Sequence, residues 1–153
     1  METRVKYVQT DGGKKVLGRV LPGSDVIEGI EKMAAENGIK NGWVDCIGSL
    51  RETKFFILSV KPQTKAGAAY GDPIHKDGPV ELIAAQGLLV NGGIHLHGIM
   101  CGDDGVCYGG HMIKGGSPVL VTCEVSITED PGLNCARGDD GEVDGMQFFP
   151  AGK

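Results

Sequence analysis

The chain has no cluster of lysine or arginine, and its formal net charge is −5 with a pI of about 5.3. A protein that neutralises a row of DNA phosphates needs such a cluster, so autonomous DNA binding is disfavoured. No stretch approaches the ~18 consecutive apolar residues of a membrane span. Residues 1–4 lead into alternating residues, without the apolar run of a signal peptide. We therefore expect a cytoplasmic protein with no membrane partner.

The Cys-x-x-Cys spacing is also missing, and the count of five cysteines is odd. Neither a secreted disulfide framework nor a zinc ribbon is indicated by such a pattern. Most of the cysteines are expected to be buried as small hydrophobic residues. Cys101 and Cys107 are the exception, because one register of a hairpin makes them cross-strand partners that either pair reversibly or line a pocket.

A length of 153 residues with 41% hydrophobic residues is enough for one domain with a substantial core. The 26 glycines far exceed the usual share of about 7% and are spread through the chain, which predicts many turns and short strands. We assign residues 1–130 to a single domain. Residues 131–153 form a Gly-rich, acidic extension, expected to be irregular and docked on this subunit or a neighbouring one.

Apolar patterns predict about seven to eight strands and one main helix. The helix begins at a cap on Asp25, carries an apolar stripe, and ends where Gly38 adopts a left-handed conformation. Residues 48–53 are interpreted as a turn and residues 62–79 as a long loop. Tight turns between consecutive strands indicate a largely antiparallel α+β fold with the helix packed on the sheet. The predicted strands are 5–8, 16–21, 43–50, 55–60, 80–90, a hairpin over 94–113, and 119–127.

The hairpin holds three of the four histidines in the chain. Successive residues of a strand point to opposite sides, so His95 and His97 lie on one face together with Cys101. Asp and Gly supply the local hydrogen bonds and positive φ of the turn at residues 102–105. The register of this turn decides where His111 points.

Two registers are open. A three-residue loop of 103–105, with Gly105 left-handed, pairs Cys101 with Cys107 and His97 with His111. Cross-strand Cβ atoms are then about 5 Å apart, and three imidazoles converge. A two-residue loop would turn His111 to the opposite face of the sheet. Gly105 favours the three-residue loop.

Three converging histidines predict a metal centre at His95, His97 and His111. This arrangement leaves a fourth coordination position open, as in catalytic zinc sites, whereas structural sites are closed. The alternative is that these are ordinary core or surface histidines that happen to be neighbours. Gly98, Gly109 and Gly110 fit the metal centre, because small residues let a substrate or another backbone come close.

Three further residues have possible roles. Arg51, at a predicted turn, is either a solvated charge or the planar donor that holds a substrate carboxylate. Glu81 is the only charge in the apolar run 80–90, so it is either a paired or metal-bound carboxylate suited to acid–base catalysis, or part of an exposed edge. His75 is expected at the surface.

The motifs in this chain follow a characteristic order: Leu21-Pro22-Gly23, the capped helix, Gly48-Ser49-Leu50, Gly78-Pro79-Val80-Glu81-Leu82-Ile83, His95-Leu96-His97 and Gly109-Gly110-His111. This order resembles the plants-and-prokaryotes conserved domain, formerly a domain of unknown function, over roughly residues 15–130. The resemblance implies an antiparallel sheet with helices on it and a homotrimeric assembly. Plant relatives attach the domain to an Arg-Gly-Arg-Pro DNA-binding motif, which this chain lacks.

The histidine motifs also resemble the zinc site of acetolactate decarboxylase, a fold relative that holds its ion with three histidines. The resemblance implies that His95, His97 and His111 bind zinc or another divalent transition metal. Our first hypothesis is a metal-dependent lyase or hydrolase acting on a small carboxylate or keto compound, with Glu81 moving a proton and Arg51 holding the carboxylate. The alternatives are a DNA-associated regulatory or scaffold protein without catalysis, and a small-molecule sensor without turnover.

Overall fold

A computed structural model describes residues 2–10, 14–139 and 141–150, and the side chains of all of these except 6–10, 149 and 150. The described chain contains one helix, α1 (Val26–Glu36), and eleven strands. The strands are β1 (Val5–Thr10), β2 (Lys15–Val20), β3 (Gly42–Phe56), β4 (Leu58–Val60), β5 (Ala68–Tyr70), β6 (Ile74–Val90), β7 (Gly93–Gly102), β8 (Cys107–Met112), β9 (Val119–Glu129), β10 (Cys135–Gly138) and β11 (Gln147–Pro150).

Seven strands form one antiparallel sheet in the order β1-β2-β9-β3-β6-β7-β8. The end of β3 also pairs with β8, through Phe55↔Met112 and Phe56↔His111. Strands β3, β6, β7 and β8 therefore form a closed circuit of pairings, and the histidine hairpin lies in it. The sheet and the single packed helix confirm the predicted α+β fold class.

Helix α1 begins and ends as the sequence predicts. The Asp25 side chain accepts a hydrogen bond from the Glu28 backbone N–H, and Gly38 has a φ of 67°. The Glu28 carboxylate in turn accepts a hydrogen bond from the Thr3 hydroxyl. The apolar stripe of the helix packs into the core against the sheet, and its buried members include Val26, Ile27, Ile30, Met33 and Ala34. No helix among the described residues has the length and apolarity needed to cross a membrane.

Two predicted connections are strand instead. Residues 48–53 lie within β3, because this segment pairs with β6 on one side and with β9 on the other. The Arg51 N–H also donates a hydrogen bond to the Pro118 carbonyl. Register shifts at Cys46/Gly48 and Leu50/Glu52 accommodate the turn-like residues as bulges. Residues 74–79 of the predicted long loop belong to β6, paired with the end of β3.

The C-terminal extension contains a hairpin, so the prediction of irregular structure was wrong there. Strands β10 and β11 pair with each other from Cys135↔Pro150 to Gly138↔Gln147. Two asparagine side chains attach the segment to the domain: Asn41 donates a hydrogen bond to the Leu133 carbonyl and Asn91 donates one to the Cys135 carbonyl. The hairpin is held beside the end of β6, near the histidines.

Candidate metal centre

The hairpin adopts the three-residue register. His97 pairs with His111 and Cys101 with Cys107. Gly105 has a φ of 74°, and its N–H donates to the Gly102 carbonyl. A Cβ is strained in the left-handed conformation, so this third loop position favours glycine. Glycine here therefore sets the pairing of the whole hairpin.

The three imidazole rings converge as predicted. His95 Nε2 lies 2.9 Å from His97 Nε2, and the ring centroids of His95 and His97 lie 4.7 and 5.4 Å from that of His111. One ring nitrogen from each residue can be chosen so that all three lie within 4.8 Å of one another. Nitrogen ligands of a tetrahedral zinc ion are roughly 3.4 Å apart, given Zn–N distances of about 2.0–2.1 Å. The nitrogen separations, from 2.9 Å up to a limit of 4.8 Å, bracket this spacing.

The surroundings of His95 and His111 favour the neutral form of their imidazoles, which is the form that binds a metal. Partial burial, together with the smaller effects of the charges of His111, His97 and Arg137, lowers the pKa of His95 to about 4. Burial also lowers the pKa of His111, again with His97 and Arg137 contributing. Both rings are therefore neutral at neutral pH, the state in which a nitrogen lone pair can bind a metal. The buried Nδ1 of His111 has no hydrogen-bond partner among the described residues.

The glycines beside the histidines allow close backbone approach. A Cβ on Gly110 would lie 2.2 Å from the Phe56 carbonyl oxygen, and one on Gly109 would lie 2.5 Å from the Gly98 carbonyl oxygen. The approaching group is thus another backbone, one of the two possibilities that the sequence left open. These contacts hold β8 against β3 and β7, and so fix His111 opposite His97.

Aromatic rings support His111 from the side. The Tyr70 ring centroid lies 4.9 Å from that of His111 and 5.4 Å from that of Phe56. Tyr70 comes from the small sheet of β4 and β5, which covers this edge of the hairpin. Burial raises the pKa of its phenol, so the hydroxyl keeps its proton at neutral pH and can donate a hydrogen bond.

A cavity of about 660 Å³ opens beside the histidines and is lined by His95, His111, Tyr70 and Arg137. Arg137 lies on β10, and its Nη2 donates a hydrogen bond to the Leu88 carbonyl at 3.2 Å. Neither Tyr70 nor Arg137 is among the site residues predicted from the sequence. Tyr70 stood in a segment interpreted as loop, and Arg137 stood in an extension interpreted as irregular, so no pattern linked either residue to the hairpin.

The structure does not bring Arg51 and Glu81 to the histidines. Glu81 is exposed and pairs with Cys101, and it lines a separate cavity with Ile83 and Val121. Arg51 is exposed on β3 and lines another surface depression with Asp77. The catalytic roles assigned to these two residues from the sequence stay predictions.

Cys101 and Cys107 are joined by a disulfide, and Cys101 also lines the cavity that contains Glu81. The other three cysteines, Cys46, Cys123 and Cys135, are buried and free, as expected. The disulfide closes the tip of the hairpin, four residues from both His97 and His111. It therefore covalently reinforces the register that brings the histidines together.

The remaining histidine lies in a second cluster. His75 is exposed, as predicted, and its Nε2 contacts the Glu52 carboxylate at 2.5 Å and the Asp77 carboxylate at 3.7 Å. Ligand atoms of these three residues also lie within 4.8 Å of one another. His75 and Asp77 are exposed and Glu52 is partly exposed, and the imidazole–carboxylate hydrogen bond between His75 and Glu52 accounts for the cluster.

Residues 7–131 match the family model of the Plants and Prokaryotes Conserved (PCC) domain. The chain belongs to this family. The match includes the three histidines and ends before β10, so Arg137 lies beyond the part of the PCC domain that the family model describes.

Known proteins agree with this assignment at the level of fold. A plant- and prokaryote-conserved (PPC) protein from Pyrococcus horikoshii is 21% identical, with a TM-score of 0.75 over 98% of this chain and 96% of that one. A metal-containing protein from Archaeoglobus fulgidus is 24% identical, with a TM-score of 0.75 over 94% of this chain and 99% of that one. A candidate DNA-binding protein from Ralstonia eutropha is 24% identical, with a TM-score of 0.77 over 94% and 95% of the two chains.

A curated relative, the bifunctional protein GlmU of a Synechococcus species, is 28% identical over 123 residues. The aligned region covers 80% of this chain and 18% of that protein. The chain thus corresponds to a small part of the relative.

Proposed function

We propose that the chain is a metal-dependent enzyme of the PCC family, a lyase or hydrolase, that acts on a small carboxylate or keto compound. His95, His97 and His111 hold the metal, with zinc as the first choice. One observation carries this proposal: three imidazoles with ligand nitrogens within 4.8 Å of one another, two of them in the wall of a cavity large enough for a substrate.

The donor set fits a transition metal. Imidazole suits zinc, iron, manganese and nickel, and three histidines leave a position for a substrate or water. Zinc bound there would polarise a substrate oxygen or lower the pKa of water to about 7. The description of the Archaeoglobus fulgidus structure as metal-containing supports the choice of a metal over a purely structural cluster.

The residues of the chain contribute positioning and charge. Tyr70 keeps its proton and can donate a hydrogen bond to an oxygen that gains negative charge. Arg137 supplies a fixed positive charge in the same cavity. A carboxylate clamp at Arg51 and proton transfer by Glu81 remain predictions of the sequence, to be tested by Arg51→Gln and Glu81→Gln.

Metal removal tests the enzymatic part of the proposal. Protein stripped with a chelator and reloaded with zinc, cobalt or manganese would be incubated with a panel of 2-oxo acids, 2-hydroxy-2-methyl oxo acids and small carboxylate esters, with products followed by NMR. We expect turnover of at least one class by the reloaded protein and none by the stripped protein. Equal rates with and without metal would overturn metal dependence, and no consumption of any compound would count against catalysis.

A DNA-associated regulatory role without catalysis is the second candidate. Similar structures from Bacteroides thetaiotaomicron and Ralstonia eutropha, both described as candidate DNA-binding proteins, favour it. The net charge of −5 weighs against autonomous binding. Duplex DNA titrations at two salt concentrations distinguish the candidates, because phosphate contacts make affinity fall steeply with salt.

We propose a homotrimer as the assembly. The outer face of the sheet exposes a band of large apolar side chains on adjacent strands, which an assembly would bury. The band consists of Leu17, Ile47, Ile83, Ile99 and Val121, with exposed fractions of 44–64%.

The assembly is tested by sedimentation. We expect the wild-type chain to sediment at three times the monomer mass of 16.0 kDa. Ile47→Asp should dissociate it, because a charge buried at an interface is costly. Val60→Asp is the matched control, since Val60 is 82% exposed on the separate sheet of β4 and β5. A wild-type monomer would rule the trimer out.

A further inference from the structure

We infer that Arg137 holds the carboxylate of the substrate and that the apolar wall beside it receives an alkyl tail, so that the site selects carboxylates with several tail carbons. This inference rests on the proposed function, because it names the substrate class of the same site. It also assigns specificity to the C-terminal hairpin, which lies beyond the residues matched by the family model.

Arg137 is anchored in a fixed position near the histidines. Its Nη2 donates to the carbonyl of Leu88, and Leu88 is the cross-strand partner of His95. The anchoring hydrogen bond uses only one of the five guanidinium N–H groups. Its Nε is buried and has no hydrogen-bond partner among the described residues. A planar donor with unused N–H groups beside a metal centre matches the two oxygens of a carboxylate.

The charges around the cavity leave Arg137 available for an anion. It is the one lysine or arginine among the described residues that line the cavity. The two acidic lining residues already have partners: Glu31 pairs with Lys114, and Asp144 accepts a hydrogen bond from the Lys65 backbone N–H. Within the part of the chain that the structure describes, Arg137 forms no ion pair.

Most of the other residues that line the cavity are apolar. A three-carbon acid would leave most of a cavity of about 660 Å³ unfilled, so there is room for a longer tail. Each methylene that is buried against this wall strengthens binding, so the dependence of affinity on tail length measures the contact between the tail and the wall. The apolar lining residues include Leu58, Ala66, Ala68, Val90, Ile94 and Met146.

The experiment uses the full chain loaded with cobalt, whose visible absorption reports on ligands at the metal. Straight-chain 2-oxo acids of increasing length are titrated into the wild type, into Arg137→Gln and into Arg4→Gln. Arg4 is the matched control, because its guanidinium also donates to a backbone carbonyl, that of Pro22, but does not line the cavity. We expect the wild-type dissociation constant to fall about four-fold per added methylene. Arg137→Gln should weaken binding of the longest acid about 30-fold, because a hydrogen-bonded charge partner is lost. Arg4→Gln should bind as the wild type does.

Two further measurements separate the loss of the charge contact from misfolding of the variant. The methyl ester of the same acid carries no charge, so Arg137→Gln should leave its affinity unchanged. Arg137→Lys keeps the positive charge but loses the planar guanidinium, so its affinity for the acid should lie between those of Arg137→Gln and the wild type. This graded loss would show that the weak binding of Arg137→Gln is not caused by misfolding. Cobalt content is measured for every variant.

The outcomes separate the two proposals. Unchanged acid binding by Arg137→Gln at full cobalt content would overturn the role of Arg137 and leave the metal centre standing. Affinity independent of tail length would overturn the apolar subsite. A wild-type chain that takes up no cobalt, or whose spectrum responds to none of the acids, would overturn the proposed function and this inference with it.

Discussion

Replacement of His111 by alanine is expected to lower the affinity of the chain for zinc roughly 10³-fold, since one of three ligands would be lost from a site whose binding free energy is on the order of 10 kcal/mol. The two remaining imidazoles, His95 and His97, lie on one strand and together cannot surround an ion. Competition with a chromophoric chelator measures the affinity. The melting temperature of the metal-free variant shows whether the fold persists.

His75→Ala is the control for this prediction. His75 is the fourth histidine, is exposed, and lies in the separate cluster with Glu52 and Asp77. Its replacement should leave zinc affinity unchanged. If His111→Ala binds zinc as tightly as the wild type, or if His75→Ala loses as much affinity, zinc is not bound at the histidine hairpin.

Gly110→Ala is expected to destabilise the metal-free protein by about 3 kcal/mol, at the upper end of the usual range for overpacking. The added Cβ would lie 2.2 Å from the Phe56 carbonyl oxygen and 2.9 Å from the Phe55 ring. The backbone of β3 or β8 must move to relieve this overlap. Since Phe56 pairs with His111, the same movement would shift one metal ligand.

Gly93→Ala provides a matched comparison. Gly93 starts β7, and a Cβ there would meet only the Val90 carbonyl oxygen at an ordinary 3.7 Å. Urea unfolding of both variants gives the difference directly. A Gly110→Ala protein as stable as Gly93→Ala would show that β3 and β8 do not approach as closely as described.

The hairpin could be predicted from sequence because its determinants are local. Strand alternation sets the faces of His95 and His97, and Gly105 sets the turn. These two features favour the register that pairs His97 with His111 over the alternative, and the structure has that register. The same holds for α1, where Asp25 and Gly38 mark the two ends with signals that need no tertiary partner.

The strand pairings of residues 48–53 and 74–79 could not be predicted, because their residue types are those of turns and loops. Glycines and prolines there are tolerated in strands because bulges absorb them and because β3 is paired along both edges. Such long-range pairing overrides local preference, which is weak for strands. A turn and part of a long loop were therefore predicted for residues that belong to β3 and β6 in the structure.

Arg137 and Tyr70 reach the cavity only through tertiary structure. Arg137 is placed by a hairpin whose strands are separated by eight residues, and Tyr70 is placed by a short sheet in a Gly-rich segment. No spacing in the sequence relates either residue to the histidines. Arg51 was assigned as the carboxylate clamp because it stood near a predicted turn, and the true course of β3 places it in a different cavity.

Anomalous diffraction from crystals of the zinc-loaded protein tests most directly whether one ion binds to the three imidazoles of the hairpin. Data collected on both sides of the zinc absorption edge should give one strong peak per chain. The peak should lie about 2.0–2.1 Å from a ring nitrogen of each of His95, His97 and His111. A peak elsewhere, or one that His111 does not contact, would contradict the account.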